Sequence, residues 1–289
     1  MIVEWLDTVI QGVLLGGLYA LFAIGLSITY GVMRLVNIAH GDFIVLAAYL
    51  ALWPVTALGI HPFVAILPVA AVMFGVGYVL QRVLLNRTIG PDILPPLLVT
   101  FGLSILIQNG LLETFTADAK SLQIGDLATA SVHIGESIAV GWLPVIVFSV
   151  AVALTLAVDA LFNRTPVGMA LRATSDDPAT AGLMGIRATH VYALALGLSF
   201  ALVAVGGVFA GIRTTFAPDA GPASLLYAFE AVVIGGLGSL WGTFAGAVIL
   251  GVAQAVGARI DAGMGVLAGH LVFLAVLLLK PSGLFARTR

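Results

Sequence analysis

The sequence has no cysteine and very few charged residues. Of its 289 residues, 12 are Lys or Arg and 14 are Asp or Glu, so charged residues make up 9% of the chain, against about 25% in an average soluble domain. The missing cysteines exclude disulfides, cysteine–zinc sites and thiol catalysis. A net charge of -2 provides no basic surface for nucleic acid. So few charges cannot cover a water-exposed surface, which excludes a soluble globular enzyme.

Apolar residues and glycine take the place of the missing charges. The chain is 61% hydrophobic, with a mean hydropathy of +1.14 and 34 glycines. Small residues let helix backbones approach closely in lipid, so the composition predicts an all-α polytopic membrane protein. The first residues, 1–7, are acidic and contain no Lys or Arg. A cleavable signal peptide has a basic leader, so we expect the first apolar stretch to remain as a membrane span.

Runs without charge predict the number of spans. They cover residues 8–33, 43–81, 93–112, 137–158, 188–212, 231–258 and 262–279. A helix needs about 20 apolar residues to cross the hydrocarbon core. The second run is long enough for two helices, because Pro54 and the stretch 59–62 interrupt it. The segment 223–258 is compatible with one long span, two short spans, or a broken helix with a glycine-rich middle inside the protein. The total is eight or nine transmembrane helices.

Loop charges predict the orientation, because Lys and Arg in short loops stay on the cytoplasmic side. Loops 82–92 and 159–187 carry Arg and are expected inside. Loop 113–136 has one lysine against four acidic residues, ending with Glu136, and is expected outside. The amino terminus is then outside. Nine crossings are favoured over eight, because eight would leave three positive charges outside: Lys280, Arg287 and Arg289.

The longest polar stretch on the predicted inner side runs from 159 to 190. Thr165 before Pro166 is typical of a helix start, with Thr as the cap and Pro in the first turn. The stretch 175–178 predicts a second start, for a short helix that ends at Gly185. Two short helices separated by a turn are therefore expected outside the bilayer. They form either an ordinary solvated hairpin or a docking element for a soluble partner.

Three stretches of the chain carry a distinctive pattern. The first is the loop described above, through Gly168, Leu171, Arg172, Ala173, Thr174, Asp177, Pro178, Ala181, Gly185 and Ile186. The second runs from Gly17 to Tyr49 and includes Asn37, His40 and Asp42. The third is a glycine-rich block from Ala228 to Thr243. Together and in this order the three stretches resemble the branched-chain amino acid (Liv-type) permeases of ABC importers, and the resemblance extends over essentially the whole chain.

The resemblance implies a single transmembrane permease domain over residues 1–289, in a bacterial inner membrane. A cytoplasmic coupling loop at about 163–187 would dock on an ATPase subunit, because each of two ATPases would receive one coupling loop. The partners implied are a second homologous permease, these ATPases and an extracytoplasmic binding protein. The coupling residues implied are Gly168, Arg172, Asp176, Asp177, Pro178, Ala181, Gly185 and Ile186. The substrate implied is a branched-chain or hydrophobic amino acid, and related urea and short-chain amide permeases share the scaffold.

The sequence itself argues against two other classes of function. The chain has two lysines, and neither follows the Gly-x-x-x-x-Gly of a Walker A loop, so we expect ATP to be used by partner subunits and no cofactor in this chain. The central parts of the spans carry almost no ionisable residues, which disfavours an ion-coupled secondary carrier. No zinc motif and no paired intramembrane aspartates are present, which disfavours an intramembrane enzyme. No catalytic or metal-ligating residue is predicted.

A few polar residues inside the apolar stretches have open roles. Asn37, His40 and Asp42 lie near the start of the second span, which is expected to reach back to about Ile38, and each is either structural or part of the solute pathway. The structural alternative for Asp42 is a helix cap or an anchor at the inner membrane interface. Glu230 either caps or lines the broken segment. The expected break itself consists of Gly235, Gly236, Gly238 and Ser239, whose backbone carbonyls could alternatively bind an ion.

Overall fold

The computed structural model describes residues 2–90, 92–134 and 138–285, so the loop charges Glu136, Arg287 and Arg289 lie outside the described residues. Within them the chain forms helices joined by short loops. The helices are α1 (Ile2–Met33), α2 (His40–Leu58), α3 (Pro62–Val83), α4 (Leu94–Phe115), α5 (Trp142–Arg164), α6 (Pro166–Asp176), α7 (Pro178–Leu183), α8 (Ala188–Arg213), α9 (Gly221–Gly235), α10 (Leu240–Ile260) and α11 (Met264–Leu279). An antiparallel hairpin, β1 (Ser131–Ile134) and β2 (Ile138–Gly141), precedes α5.

The all-α polytopic fold is confirmed. Seven of the described helices are long and apolar enough to cross a membrane, namely α1, α2, α3, α4, α5, α8 and α10. The sequence predicts eight or nine crossings, and the difference lies in α9 and α11. These two helices are apolar but have only 15 and 16 residues, whereas a full crossing takes about 20.

Helices α2 and α9 begin inside the bundle. The imidazole Nε2 of His40, the first residue of α2, donates to the carbonyl oxygen of Phe22 in α1 over 2.8 Å. The backbones of Gly41 and Gly221 lie so close that a Cβ on Gly41 would overlap the carbonyl oxygen of Gly221. The segments 34–39 and 214–220 therefore lead the chain back into the bundle before each helix starts. The amino-terminal ends of α2 and α9 meet there.

The helices form two groups of four, α1–α4 before α5 and α8–α11 after α7. The two groups pack against each other with their helices antiparallel. Helix α1, the first of its group, runs antiparallel to α10, the third of the other, with Gly12 against Val252 and the Thr243 hydroxyl donating to Ser27 over 2.9 Å. Helix α3 runs antiparallel to α8 in the same way, with Gly77 against Leu196. The first helix of each group thus packs on the third helix of the other group. The second helices of the two groups, α2 and α9, therefore lie side by side.

The glycine-rich break between α9 and α10 is a tight helical hairpin. The chain turns over residues 236–239, where Gly236 and Gly238 have φ of 107° and 80°, a region that L side chains rarely adopt. The two helices then pack backbone to backbone, with Gly235 against Gly242 and Gly246 against Ala231. Of the three possibilities that the sequence leaves open for 223–258, the structure has two helices that fold back on each other. They do not continue in one direction as a broken helix.

The loop 163–187 and the last described residues lie at the same end of the bundle, called here the loop end. The Ser175 hydroxyl in α6 donates to the Gly31 carbonyl oxygen in α1 over 2.5 Å, and Gly31 also faces Gly238 of the hairpin turn. The backbone N–H of Leu284 donates to the carbonyl oxygen of Ile234 beside that turn over 2.9 Å. This is the placement that nine crossings with an inner carboxyl tail require.

Candidate coupling loop and buried polar residues

Helix α6 is fixed tightly to the end of α5. The Thr165 hydroxyl oxygen accepts the backbone N–H of Gly168 over 3.1 Å, which caps the helix as the sequence predicts. Gly168 then packs on the preceding helix, where an added Cβ would overlap the carbonyl oxygens of Leu161 and Phe162. The angle between α5 and α6 is therefore set by a backbone contact that only glycine permits.

Further contacts brace α6 on the bundle. Leu171 is 1% exposed and packs in an apolar cluster with residues of α1, α5 and α8, including Ile28, Val158 and Val191. The guanidinium Nη1 of Arg172 donates to the side-chain oxygen of Asn163 over 3.2 Å, at the end of α5. Together with the bond from Ser175 to α1, these contacts attach α6 to three long helices, α1, α5 and α8. A displacement of α6 is expected to move all three.

Helix α7 begins at a strong cap. One carboxylate oxygen of Asp177 accepts the backbone N–H groups of Ala179 and Thr180 over 2.9 and 3.1 Å. The Thr180 hydroxyl donates to the other oxygen over 2.6 Å. The hydrogen bond from this hydroxyl, followed by those from the two N–H groups, lowers the pKa of the exposed Asp177 carboxyl. Asp177 therefore keeps its charge at the helix start, where the helix dipole favours an anion.

The turn after α7 exposes an apolar tip. Gly185 has φ of +83° and closes the turn, and the backbone N–H of Ile186 donates to the carbonyl oxygen of Ala181 over 3.1 Å. Leu183 and Met184 project from this turn with 87% and 80% of their surface exposed. Exposed apolar residues on a rigid support are typical of a protein contact. The sequence prediction missed this tip, although two large apolar residues in an otherwise polar loop were a usable signal.

The predicted coupling residues share one structural unit but not one surface. Gly168, Arg172, Ala181 and Ile186 are buried or half-buried and hold the loop in shape. Asp176, Asp177, Pro178 and Gly185 are exposed. A cavity of about 580 Å³ separates α6 from the hairpin turn, and its polar walls include Arg34, Asp159, Arg172, Asp176 and Ser239. Ser239 caps α10 by accepting the backbone N–H of Gly242 over 3.2 Å, and no cluster of metal-ligating side chains occurs among the described residues.

Asn37, His40 and Asp42 lie in the interior at the start of α2. All three are buried, with 0%, 0% and 1% of their surface exposed. The Asn37 side-chain oxygen accepts the backbone N–H of Ala39 over 3.0 Å, which shapes the turn before the helix. The Gln108 amide donates to the Asp42 carboxylate over 2.9 Å. The structure thus places Asp42 in the bundle interior, with a partner on α4.

Glu230 lies apart from this group, and its partner is His270. Glu230 is 1% exposed on α9, and the His270 imidazole Nδ1 on α11 contacts its carboxylate oxygen Oε1. The second carboxylate oxygen has no hydrogen-bond partner in the described part of the chain. The sequence prediction gives Glu230 no partner, because 40 residues and the turn between α10 and α11 separate it from His270.

Replacing His270 with phenylalanine should lower stability, because it leaves the buried Glu230 carboxylate without its partner. A buried polar group left unpaired costs about 1–3 kcal/mol, and more when it is charged. The double variant Glu230→Leu with His270→Phe should regain most of the loss, since it removes both polar groups. Thermal unfolding in detergent measures both effects. If the His270→Phe variant is as stable as the parent protein, the pair of Glu230 and His270 does not contribute to stability.

These features define a multi-pass membrane protein of closely packed helices, with a braced helical loop exposed at one end. The family model of the branched-chain amino acid transport system permease component matches residues 8–280. The chain belongs to this family.

Named relatives agree over the full length. The high-affinity branched-chain amino acid transport system permease protein BraD of Pseudomonas aeruginosa is 31% identical, over 99% of this chain and 97% of its own. The corresponding protein LivH of Salmonella typhimurium is 29% identical, over 98% and 96%. Among solved structures, PsaBC from Streptococcus pneumoniae in complex with Fab matches with a TM-score of 0.51 and 15% identity, over 98% of this chain and 97% of that one. This last likeness concerns the fold alone.

Proposed function

We propose that this chain is the membrane permease of an ABC importer for branched-chain and other hydrophobic amino acids. The observation that carries the proposal is the full-length similarity to permeases named for branched-chain amino acid transport. The chain itself lacks a Walker A lysine, so the ATP is bound and hydrolysed by separate subunits. A second, homologous permease completes the pathway, and an extracytoplasmic binding protein delivers the solute.

The loop 163–187 is the part of the chain best suited to receive the ATPase motion. Its tip, Leu183 and Met184, offers apolar surface for a soluble partner. The two caps at Thr165 and Asp177 hold α6 and α7 in fixed directions. A rigid lever transmits displacement, whereas an unstructured loop would absorb it.

The contacts behind the loop indicate where the motion goes. Ser175 bonds to Gly31 of α1, and Gly31 faces Gly238 in the turn between α9 and α10. A displacement of α6 therefore acts on the end of α1 and on the hairpin together. Helix α9 carries it to the place where α9 meets the start of α2. We propose that this relative movement of α2 and α9 alternates the access of the pathway.

Reconstitution tests the proposal. Proteoliposomes that contain this chain with the second permease, ATPases and binding protein encoded beside it should accumulate radiolabelled leucine only when ATP is present. Liposomes lacking the ATPases should show no uptake, with or without an imposed proton or sodium gradient. Uptake driven by an ion gradient alone would replace the proposal with a secondary carrier. Uptake of urea or acetamide in place of leucine would show that the chain is a urea or short-chain amide permease instead.

A further inference from the structure

A second cavity lies toward the end of the bundle opposite the loop end. It has a volume of about 260 Å³, and its walls come from α1, α2, the end of α8, the segment 214–220 and the first half of α9. Most of the wall is apolar, including Leu18, Ile44, Val45, Ala48 and Gly207. The polar groups are few and include the side chains of Arg213, Tyr19 and Tyr227. An apolar cavity with a small number of polar groups is the usual form of a small-molecule site.

Arg213 is the charged group of this cavity, and it has no anionic partner in the described part of the chain. It is the last residue of α8 and is half-buried. Its nitrogen Nη1 is buried and has no hydrogen-bond partner within the described ranges, and none of the ion pairs found there involves Arg213. Leaving a buried charged donor unpaired is costly. The cost is recovered when an anion binds, and a guanidinium matches the two oxygens of a carboxylate.

The neighbouring side chains do not supply that anion. The Tyr19 hydroxyl donates to the Gln254 side-chain oxygen over 2.5 Å, and the rings of Tyr19 and Tyr227 stack with centroids 5.0 Å apart. The Glu230 carboxylate is bound to His270 on α11. The Asp42 carboxylate accepts from Gln108 on α4. Glu230 and Asp42 therefore have their own partners, and the exposed Asp219 of segment 214–220 takes part in none of the ion pairs found in the described ranges. The Arg213 donor remains available on the cavity side of α8.

We infer that this cavity binds the transported solute as a carboxylate with an apolar side chain. The carboxylate lies on Arg213, and the side chain lies against Ile44, Val45 and Ala48 of α2. The inference rests on the proposed function and deepens it, because urea and neutral short-chain amides carry no carboxylate for the guanidinium. The cavity includes the junction of α2 with the segment before α9, which is the place where the proposed movement acts. Closing of that junction would alter the apolar wall and release the solute.

A competition experiment on the unaltered transporter tests the carboxylate requirement. The permease pair with its ATPases, in nanodiscs and without binding protein, is incubated with radiolabelled leucine. Unlabelled leucine should compete at least about tenfold better than leucinamide, because the amide cannot form the charged pair. The deaminated acid, 4-methyl-2-oxopentanoate, should still compete. Equal competition by leucine and leucinamide would overturn the inference.

Variants at Arg213 test the residue itself. Arg213→Gln should weaken leucine binding by at least about tenfold, the loss expected for a hydrogen bond to a charged group. Arg213→Lys should recover part of the binding, since it keeps the charge but not the bidentate geometry. The matched control is Arg259→Gln at the same end of the bundle, where Arg259 is exposed and pairs with Glu4. That variant should bind as the parent protein does.

The outcomes separate this inference from the proposed function. ATP-driven leucine uptake together with leucine binding unchanged by Arg213→Gln would refute the site and keep the importer. Absence of any ATP-driven uptake with the partner subunits would refute the importer. If an Arg213 variant does not fold, the competition experiment on the unaltered protein still tests the inference.

Discussion

Replacing Gly185 with valine should leave ATP hydrolysis by the assembled transporter intact while removing most of the amino-acid uptake that it drives. Gly185 has φ of +83°, and no other part of the described chain lies within 4 Å of an added Cβ. The cost of a side chain therefore arises in the backbone alone, at about 1–2 kcal/mol for an L residue in this region and more for a β-branched one. The turn after α7 would change direction, and the tip at Leu183 and Met184 would leave its position.

Two substitutions separate this backbone effect from a general loss of the loop. Gly185→Asn should retain uptake, because asparagine tolerates the left-handed region. Gly182→Ala, three residues earlier and equally open, should also retain it. Uptake and ATP hydrolysis are measured on the same proteoliposomes. Full uptake by Gly185→Val would show that the turn has no part in coupling.

The cap of α7 offers a second test of the same lever. Asp177→Lys removes the acceptor for the N–H groups of Ala179 and Thr180, and it places a positive charge at the helix start, where the dipole disfavours it. We expect uptake per ATP to fall. Asp177→Asn should preserve uptake, because asparagine is an equally good cap. If the Asn variant fails as badly as the Lys variant, the carboxylate acts on a partner and not through the cap.

The short helices of the loop were predictable because their signals are local. Thr165 with Pro166 marks the start of α6, and Asp177 with Pro178 marks the start of α7, and both caps occur in the structure. Such signals depend on residues within one turn of each other, which the sequence displays directly. The apolar content likewise predicts the membrane class without knowledge of any contact.

The interior was less predictable because its contacts join distant parts of the chain. The charge-free run after Asp42 suggests a helix that starts near the membrane surface, yet His40 bonds to Phe22 well inside the bundle. Glycines spaced four apart occur by chance at this glycine content, so the pairs say little alone. In the structure Gly12 and Gly16 both face the backbone of α10, at Val252 and Val248. The glycine spacing permits such a contact, but only the folded structure shows which helix packs against these glycines.

Replacing Gly41 with valine should sharply reduce the yield of folded protein. A Cβ at this position would overlap the carbonyl oxygen of Gly221 and approach the backbone nitrogen of Leu225, and a Cβ on Gly221 would in turn overlap the Asp42 carboxylate. Because the neighbouring atoms are backbone, no rotamer change relieves the clash, and the starts of α2 and α9 must separate. Overpacking costs about 1–3 kcal/mol where side chains adjust, so this backbone clash should exceed that range.

The matched control is Gly75→Val in α3. Gly75 is also helical, but it is exposed, and no other part of the chain that the structure describes lies within 4 Å of its added Cβ. Both variants introduce the same side chain into the same type of secondary structure, so their difference measures the contact between α2 and α9. Size-exclusion profiles and thermal unfolding in detergent give the comparison. If the two variants have equal yields and unfolding midpoints, α2 and α9 do not meet at these glycines, and the movement proposed for the pathway loses its structural basis.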